Sequence, residues 1–463
     1  MCKNLSNFIK HLTIEPALFL YTAVFVIVEL TCLNLLIQKK CRFNVTSEPD
    51  LNTVCDNEKQ GIIYATEMMT YFRFIMYFLS TLYAALAMSW SDEAGRRRRP
   101  LIFLPIIGLI FQSLCGCLQS YFWTWDPFNS ALWNVILEVI GGGIPLMNIS
   151  GQAYVCEVSD VKSRTMRMGL YSAARTLGDL IGFGSSGFML RKFGFFYTYL
   201  ICFILSIITL ALGLIFVKDV SVRVEEKRHF WQAFNLMRIV DSFKIVFKKS
   251  LGKRRTIVVA LLAAYILVFF STLGENSVQY LFLRYKFHWN ERDYSLYVIY
   301  RFIAVFVGSV ISSIVLSKLW KMHDGVIGII SGLWDMIAAF GYLFATQNWH
   351  LYVVPLFDIF HVTALSVSIS FFSKFYEADE IGRLSCVLGV LTLLIAGCHP
   401  TYYGFFQSTL DFFPSAYFTL SIVINIIVIL LYLRMYHFQI TVCHICWSKT
   451  SLNEKPFRKR GNQ

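Results

Sequence analysis

Two pairs of ionisable residues lie inside stretches of the chain that are otherwise apolar. Arg175 and Asp179 are four residues apart and Asp358 and His361 three apart, so each pair shares one face of a helix. The first pair can form an ion pair that breaks when a proton or an anion binds, although a purely structural ion pair explains the spacing equally well. The second pair can share a proton, because histidine titrates near neutral pH. The pairs therefore predict proton or anion handling in an apolar environment.

Further ionisable residues occur within the apolar stretches, where a charge is costly and therefore a candidate for function. The residues that we predict to line a substrate or proton pathway, besides these two pairs, are Glu29, Glu138, Glu275, Arg301 and Asp335. Arg73 also lies in such a stretch, and its side chain can instead extend to the outer interface. Three intramembrane arginines favour an anionic organic substrate, since a guanidinium seeks a carboxylate or phosphate. The arginines can equally be neutralised within the protein, by Asp179, Glu138 and Asp335.

Apolar stretches make up most of the 463-residue chain. Hydrophobic residues account for 56% of it, and Asp, Glu, Lys and Arg for 15%, against roughly 25% in soluble proteins. A helix needs about 20 apolar residues to cross a bilayer, and twelve stretches qualify. They are 16–37, 71–90, 101–118, 131–154, 168–190, 197–217, 257–281, 296–316, 326–345, 351–372, 384–406 and 417–436. The composition predicts an all-α membrane protein and excludes disordered, collagen-like and disulfide-stapled secreted chains.

The polar segments between the spans divide the chain and orient it. The longest segment, 218–256, separates an N-terminal half (1–217) from a C-terminal half (257–436), which a tail (437–463) follows. This basic segment can form an amphipathic helix on the inner leaflet or remain a solvated linker. If both termini are cytoplasmic, 30 of the 42 Lys and Arg residues lie inside and nine lie in outer loops. The positive-inside rule therefore predicts cytoplasmic termini, and it explains the net charge of +13 without nucleic acid.

The outer loop 38–66 carries signals of an extracellular or luminal environment. Asn44 begins an Asn-Val-Thr acceptor sequence for N-glycosylation. Cys41 and Cys55 are the two cysteines in this loop, and an oxidising outside predicts a disulfide bond between them. Cys443 and Cys446 have no second pair nearby, so we predict no metal site.

The inner loop between the second and third spans places an acid, a glycine and four arginines at a helix junction. Its pattern resembles the D-x-x-G-R-R signature of the major facilitator superfamily, with Met88 where the longer motif prefers glycine. The resemblance implies twelve helices in two six-helix halves that rock around a central site. It also implies a cytoplasmic latch between the halves, formed by Asp92, Gly95, Arg96 and Arg97.

Several further stretches resemble solute carrier family 46, the family of the proton-coupled folate transporter and its lysosomal and thymic relatives. They are 14–20, the motif above, 157–159, 163–168, 252–255 and 373–374. The resemblance implies secondary transport of an organic, often anionic, solute, driven by a proton gradient and needing no cofactor.

Several positions depart from the pattern of the folate transporter. Its coupling glutamate on helix 5 corresponds to Ser172, its helix 7 histidine to Ser271, and its helix 10 arginine to Glu377. His288, beside Trp289, replaces a cysteine of the relatives. A disulfide between the halves is then lost, which again favours the pairing of the two loop cysteines. Folate specificity therefore does not carry over.

Together, the residues and the resemblance predict a proton-coupled transporter of an organic anion that works by alternating access. Alternatives are a receptor built on a transporter fold and an integral membrane enzyme, although no acid or histidine cluster at a membrane face supports the enzyme. Candidate substrates are folate-like molecules, haem, muropeptides and cyclic dinucleotides. Protons and the lipid bilayer are the other expected partners. The tail has no strong acidic dileucine signal, which leaves the plasma and the lysosomal membrane as alternative locations.

Overall fold

The computed structural model describes residues 13–42, 57–93, 98–159, 164–218, 254–320, 322–361, 363–365, 367–368, 391 and 393–453. These residues are nearly all helical and include no β-strand. The first helices are α1 (Glu15–Cys41), α2 (Glu58–Glu93), α3 (Arg99–Tyr121), α4 (Pro127–Gly141), α5 (Gly143–Val158) and α6 (Arg164–Phe216). The others are α7 (Arg254–Phe287), α8 (Glu291–Ile311), α9 (Asp324–Leu343), α10 (Asn348–Val353), α11 (Cys398–Thr409) and α12 (Phe418–Asn453). A π-helix, Ser312–Leu319, continues α8, and 3₁₀ turns lie at Val354–Leu356 and Pro414–Tyr417.

Local sequence signals explain where several helices begin. Pro16 and Pro127 occupy the first turns of α1 and α4. Proline is tolerated there because an N–H group in the first turn has no carbonyl acceptor within the helix. The side chain of Asp126 caps α4 by accepting a hydrogen bond from the backbone N–H of Phe128. Asn290 and Asp293 form a capping box at the start of α8. These signals fix the starts of three helices that carry candidate site residues, namely Glu29, Glu138 and Arg301.

Eight helical stretches of the described residues are long and apolar enough to cross a membrane. One of them, Leu170–Phe216, is 47 residues long and contains the fifth and sixth predicted spans. The two spans join at Gly194, whose φ of 76° and ψ of −176° suit glycine. With α8, α10 and α11, each of the twelve predicted spans contains helical residues within the described ranges. The chain is a multi-pass membrane protein.

The fourth span is broken in the middle. Gly142 and Gly143, between α4 and α5, have positive φ angles of 76° and 49°. A Cβ atom on Gly143 would lie 2.9 Å from Oε1 of Glu138. The break therefore places the N-terminal end of α5 against a carboxyl group inside the span.

Buried apolar residues form three main clusters in the described part of the chain. One lies within the N-terminal half and one within the C-terminal half. The third joins the halves, and it includes Leu33 and Ile62 on one side and Leu281 and Tyr342 on the other. It lies at the end of the bundle where α1 ends and α2 begins, which we call the loop side; the opposite end is the terminal side. The halves are therefore packed together on the loop side.

The contact between α1 and α6 leaves no room for a side chain at Gly178. A Cβ atom there would lie 1.9 Å from Oγ1 of Thr22 and 2.4 Å from the carbonyl oxygen of Phe19. We expect Gly178→Ala to destabilise the protein by about 1–3 kcal/mol, because the helices must separate. Thermal unfolding of the purified protein measures this. Gly404→Ala is the control, since no described atom outside its own helical turn lies within 4 Å of the added methyl group. An equal loss in both variants would contradict the packing argument.

Candidate functional site

A buried cluster in the C-terminal half is built around Arg301 of α8. Its Nε donates to Oδ2 of Asp358 at 2.9 Å, and its Nη2 lies 2.9 Å from the same oxygen. Nη1 donates to Oδ1 of Asn276 and to Oε1 of Gln279, each at 2.9 Å. Arg301 is 7% exposed and Asp358 2%. The guanidinium is thus held between α7 and the segment that follows α10.

His361 and Asp335 extend this cluster. Nδ1 of His361 lies 3.2 Å from Oδ1 of Asp358 and 3.8 Å from Oδ1 of Asp335. Its Nε2 is buried and has no hydrogen-bond partner among the described residues. The donor atoms of these three residues lie within 4.8 Å of one another, which is close enough to hold a cation. Because Arg301 already neutralises Asp358, the group is better suited to share protons than to bind a metal ion.

Glu275 of α7 faces the same cluster across a cavity of about 10 Å³. Its Oε1 accepts a hydrogen bond from Oγ of Ser271 at 3.3 Å, and that hydroxyl also contacts the Tyr402 hydroxyl at 3.3 Å. Within the described ranges Glu275 forms no ion pair. The cavity has room for about one water molecule. An organic substrate, which needs a pocket of at least about 300 Å³, can enter only if the halves separate.

A second buried cluster occupies the N-terminal half. Glu29 of α1 and Arg73 of α2 form a direct ion pair. Glu138 of α4 lines the same cavity of about 20 Å³ and is 5% exposed. Gln112 of α3 lines the same cavity, and Oε2 of Glu138 has no hydrogen-bond partner among the described residues. Both halves thus combine one arginine with an excess of carboxyl groups.

The predicted pair on α6 forms but lies outside both clusters. Nε of Arg175 is 3.9 Å from Oδ2 of Asp179, at the upper limit of an ion pair. Their side chains are 36% and 23% exposed. Neither residue lines the two cavities described above.

The structure decides which acids neutralise the arginines. Arg301 pairs with Asp358 and Arg73 with Glu29, so in the described part of the chain neither Asp335 nor Glu138 pairs with these two arginines. Arg73 consequently points into the bundle instead of extending to the outer interface. Asp358 and His361 lie in a turn after α10 rather than on the face of a helix, which corrects the element expected from the sequence.

A polar network on the loop side was not predicted from the sequence. Nε of Arg284, at the end of α7, lies 2.5 Å from Oε1 of Glu58 on α2, and Nη1 lies 2.8 Å from Oε1 of Glu291 on α8. Nη1 also donates to Oδ1 of Asn34 on α1 at 2.7 Å. Arg191 of α6 is 3.5 Å from Glu291. We call these five residues the loop-side network. The sequence showed these charges at span ends, but only as parts of outer loops.

All ion pairs that join the halves in the described part of the chain lie on the loop side. They are Arg284 with Glu58, Arg191 with Glu291, and Lys59 with Asp411 at 2.5 Å. The buried backbone contact between Gly187 and Ser295 also lies there, with the glycine N–H donating to Oγ at 3.1 Å. The structure is therefore closed towards the loop side.

Most of the predicted latch lies outside the described residues. This applies to Gly95, Arg96, Arg97 and the side chain of Asp92. The next arginine, Arg98, binds Glu157 of α5, with Nη2 2.8 Å and Nε 3.0 Å from its Oε1. This contact anchors the start of α3 within the N-terminal half.

Cys41, at the end of α1, forms a disulfide bond. Its predicted partner Cys55 and the glycosylation acceptor Asn44 lie outside the described residues, as does most of the central segment 218–256. The pairing with Cys55 and the glycosylation of Asn44 stay predictions.

Known proteins resemble the chain in sequence and in fold. The model of the Major Facilitator Superfamily matches residues 62–398. The probable peptidoglycan muropeptide transporter SLC46 of Drosophila melanogaster is 22% identical over 376 residues, which are 78% of this chain and 71% of the relative. The lysosomal proton-coupled steroid conjugate and bile acid symporter SLC46A3 of Mus musculus is 25% identical over 350 residues, which are 72% of this chain and 71% of the relative.

The fold is similar to that of a solved transporter. The crystal structure of the human organic anion transporter MFSD10 superimposes with a TM-score of 0.62 at 14% identity, covering 90% of this chain and 98% of that one. The predicted all-α membrane fold, with twelve transmembrane helices in two halves, is confirmed by these matches. The chain belongs to the major facilitator superfamily, and the two relatives named above are members of its solute carrier family 46.

Proposed function

We propose that this protein is a secondary active transporter that moves an amphipathic organic anion together with protons by alternating access. The observation that carries this proposal is the buried contact of Arg301 with Asp358, which His361 also approaches at 3.2 Å. In this arrangement one carboxyl group is shared by a fixed cation and by an imidazole that can gain or lose a proton.

Protonation and anion binding are coupled if both compete for the same partners. A proton that binds at the Asp358 and His361 pair weakens the hold of the carboxylate on Arg301. The guanidinium then offers its N–H donors to an anionic group of the substrate, with bidentate geometry. Loss of the proton restores the internal ion pair and releases the anion. Asn276 and Gln279 hold the guanidinium in place throughout, since both accept hydrogen bonds from Nη1.

The relatives support the substrate class. The mouse protein is described as a symporter of steroid conjugates and bile acids, and the Drosophila protein as a probable muropeptide transporter. These solutes combine a bulky body with acidic groups. The cavity in the C-terminal half likewise combines Val268, Ala338 and Tyr342 with the charged cluster. Steroid conjugates and muropeptides are therefore our first candidates, and folate-like molecules, haem and cyclic dinucleotides are competitors to test.

We further propose the orientation that the positive-inside rule predicts. Both termini are then cytoplasmic, and the loop side faces the lysosomal lumen or the cell exterior. The structure is closed towards that side. The halves 1–217 and 257–436 move relative to each other, and the basic segment 218–256 connects them on the cytoplasmic side. Asp92, Gly95, Arg96 and Arg97 hold the halves together there in the opposite state.

Uptake into proteoliposomes with an imposed pH gradient tests this function. We expect labelled estrone sulfate, a steroid conjugate, to accumulate when the outer solution is acidic, and to equilibrate without accumulation when a protonophore is added. A receptor would bind the probe without accumulating it, and an enzyme would convert it without a gradient. His361→Gln should remove the acceleration by acid, whereas His350→Gln, at the loop side, should retain it. Gradient-independent uptake by the unmodified protein would contradict proton coupling.

A further inference from the structure

The carboxyl group of Glu138 is buried in the N-terminal half without a cation to itself. It is 5% exposed, and its Oε2 has no hydrogen-bond partner among the described residues. The arginine that lines the same cavity, Arg73, is paired with Glu29 instead. An ionised carboxylate in this position is costly, and binding a proton removes that cost.

Two features of the site support the ionised form as well. The side chain of Glu138 lies against Gly143, at the N-terminal end of α5, where free backbone N–H groups and the helix dipole favour negative charge. The side chain of Gln112 lines the same cavity, where its amide N–H groups can donate to a carboxylate. Both forms therefore have structural support, which is what a group that gains and loses a proton requires.

The surroundings of Glu138 contain few other ionisable groups. Those that face it are Glu29, Tyr21 and Cys32 from α1 and Arg73 and Tyr77 from α2. The side chain of Gln112, from α3, is polar but does not ionise. The cavity of about 20 Å³ has room for about one water molecule, which can carry the proton.

We propose that Glu138 is a second proton-binding site, located in the half of the protein opposite to the Asp358 and His361 pair. The helix break at Gly142 and Gly143 links its protonation to the junction of α4 and α5. Proton binding at Glu138 does not depend on the substrate. Its part in coupling rests on the function proposed above, and it would make two protons move in each transport cycle.

Infrared difference spectroscopy of the purified full chain in lipid, between neutral and acidic buffer, tests proton binding without a substrate. The unmodified protein should show the carbonyl band of protonated carboxyl groups, and Glu138→Gln should lose one component of it. Glu157→Gln is the matched control, because Glu157 is paired with Arg98. Glu29→Gln should weaken the Glu138 component, since Arg73 is then free to pair with Glu138. A spectrum of Glu138→Gln identical to that of the unmodified protein would overturn the proposal.

Two further measurements keep the result decisive. If Glu138→Gln does not fold, Glu138→Asp retains a carboxyl group in altered surroundings, and its band should shift; an unshifted band overturns the proposal. Estrone sulfate accumulation should rise about tenfold per pH unit for each coupled proton, so Glu138→Gln should reduce the slope from about a hundredfold to about tenfold. If Glu138→Gln loses the band but the unmodified protein shows no gradient-driven uptake, the proton site is supported and the transport function is refuted. If the unmodified protein shows gradient-driven uptake but Glu138→Gln has an unchanged band, the transport function is supported and the proton site is refuted.

Discussion

Replacement of Arg301 by Gln is expected to reduce uptake of an anionic substrate about a hundredfold. The change removes the guanidinium that faces Asp358 at 2.9 Å in a site where both residues are buried. Removing one partner of a buried, hydrogen-bonded charge pair costs roughly 2–5 kcal/mol, and about 2.7 kcal/mol corresponds to a hundredfold change in affinity. Initial rates of estrone sulfate uptake into proteoliposomes, at equal amounts of folded protein, measure the effect.

A matched control lies on the same helix. Arg292 is exposed at the start of α8 and lies over the ring of Phe188. Arg292→Gln removes the same charge outside the cluster and should leave uptake within about twofold, as is usual for surface substitutions. Asp358→Asn should retain anion binding while losing its dependence on pH, because Arg301 is then permanently released. Unchanged uptake by Arg301→Gln, with normal folding, would rule out its role in binding the anion.

Replacement of Arg284 by Gln is expected to open the loop side. The guanidinium is 7% exposed and joins Glu58 and Asn34 of one half to Glu291 of the other. Its loss leaves Glu58 without its cation and leaves Glu291 with Arg191 alone. Breaking such a pair costs about 3–5 kcal/mol, and about 5.5 kcal/mol converts a 1:99 mixture of two states into 99:1. A large fraction of the molecules should therefore change from the state with the loop side closed to the state with the loop side open.

Spin labels on opposite halves can report this opening. Lys192→Cys and Thr346→Cys place labels at exposed loop-side positions of the N-terminal and C-terminal halves. In Arg284→Gln the distance distribution should gain a longer component. Lys286→Gln is the control on the same helix, because Lys286 binds Ser415 of its own half at 2.6 Å. A distribution that does not change in Arg284→Gln would show that the apolar cluster alone keeps the loop side closed.

The reliable part of the sequence prediction concerns contacts between residues close in the chain. Arg175 and Asp179, four apart on one helix, lie 3.9 Å from each other, as helical periodicity predicts. Asp358 and His361, three apart, lie 3.2 Å from each other, but they do so in a turn after α10 and not on a helix, so their proximity was predicted for the wrong reason. The spans themselves were predictable as well, since length and hydropathy decide whether a helix can cross a bilayer.

Contacts between helices required the tertiary structure. The pairing of Arg301 with Asp358 joins residues 57 positions apart, and Arg284 with Glu58 joins residues 226 positions apart. No periodicity relates such positions, so the sequence offered several acids for each arginine. The observed partners of Arg73 and Arg301, Glu29 and Asp358, are not among the three acids that the sequence analysis named for neutralising the arginines. The break at Gly142 was also invisible in the apolar pattern, because a glycine in a span is compatible with a break or a continuous helix. The kink at Gly194, in contrast, falls between the fifth and sixth predicted spans.

The sequence alone determined that this chain lies in a membrane, because 56% hydrophobic residues arranged in twelve long stretches have no other solvent. It also determined which buried charges need an explanation. Only the tertiary structure decided how these charges are satisfied: Arg73 and Arg301 each take one carboxylate, which leaves Glu138, Glu275 and Asp335 without an arginine among the described residues. The physical reason is that the apolar sequence around a charged residue already shows that burying the charge costs free energy. Which opposite charge neutralises it depends on which helices pack against each other.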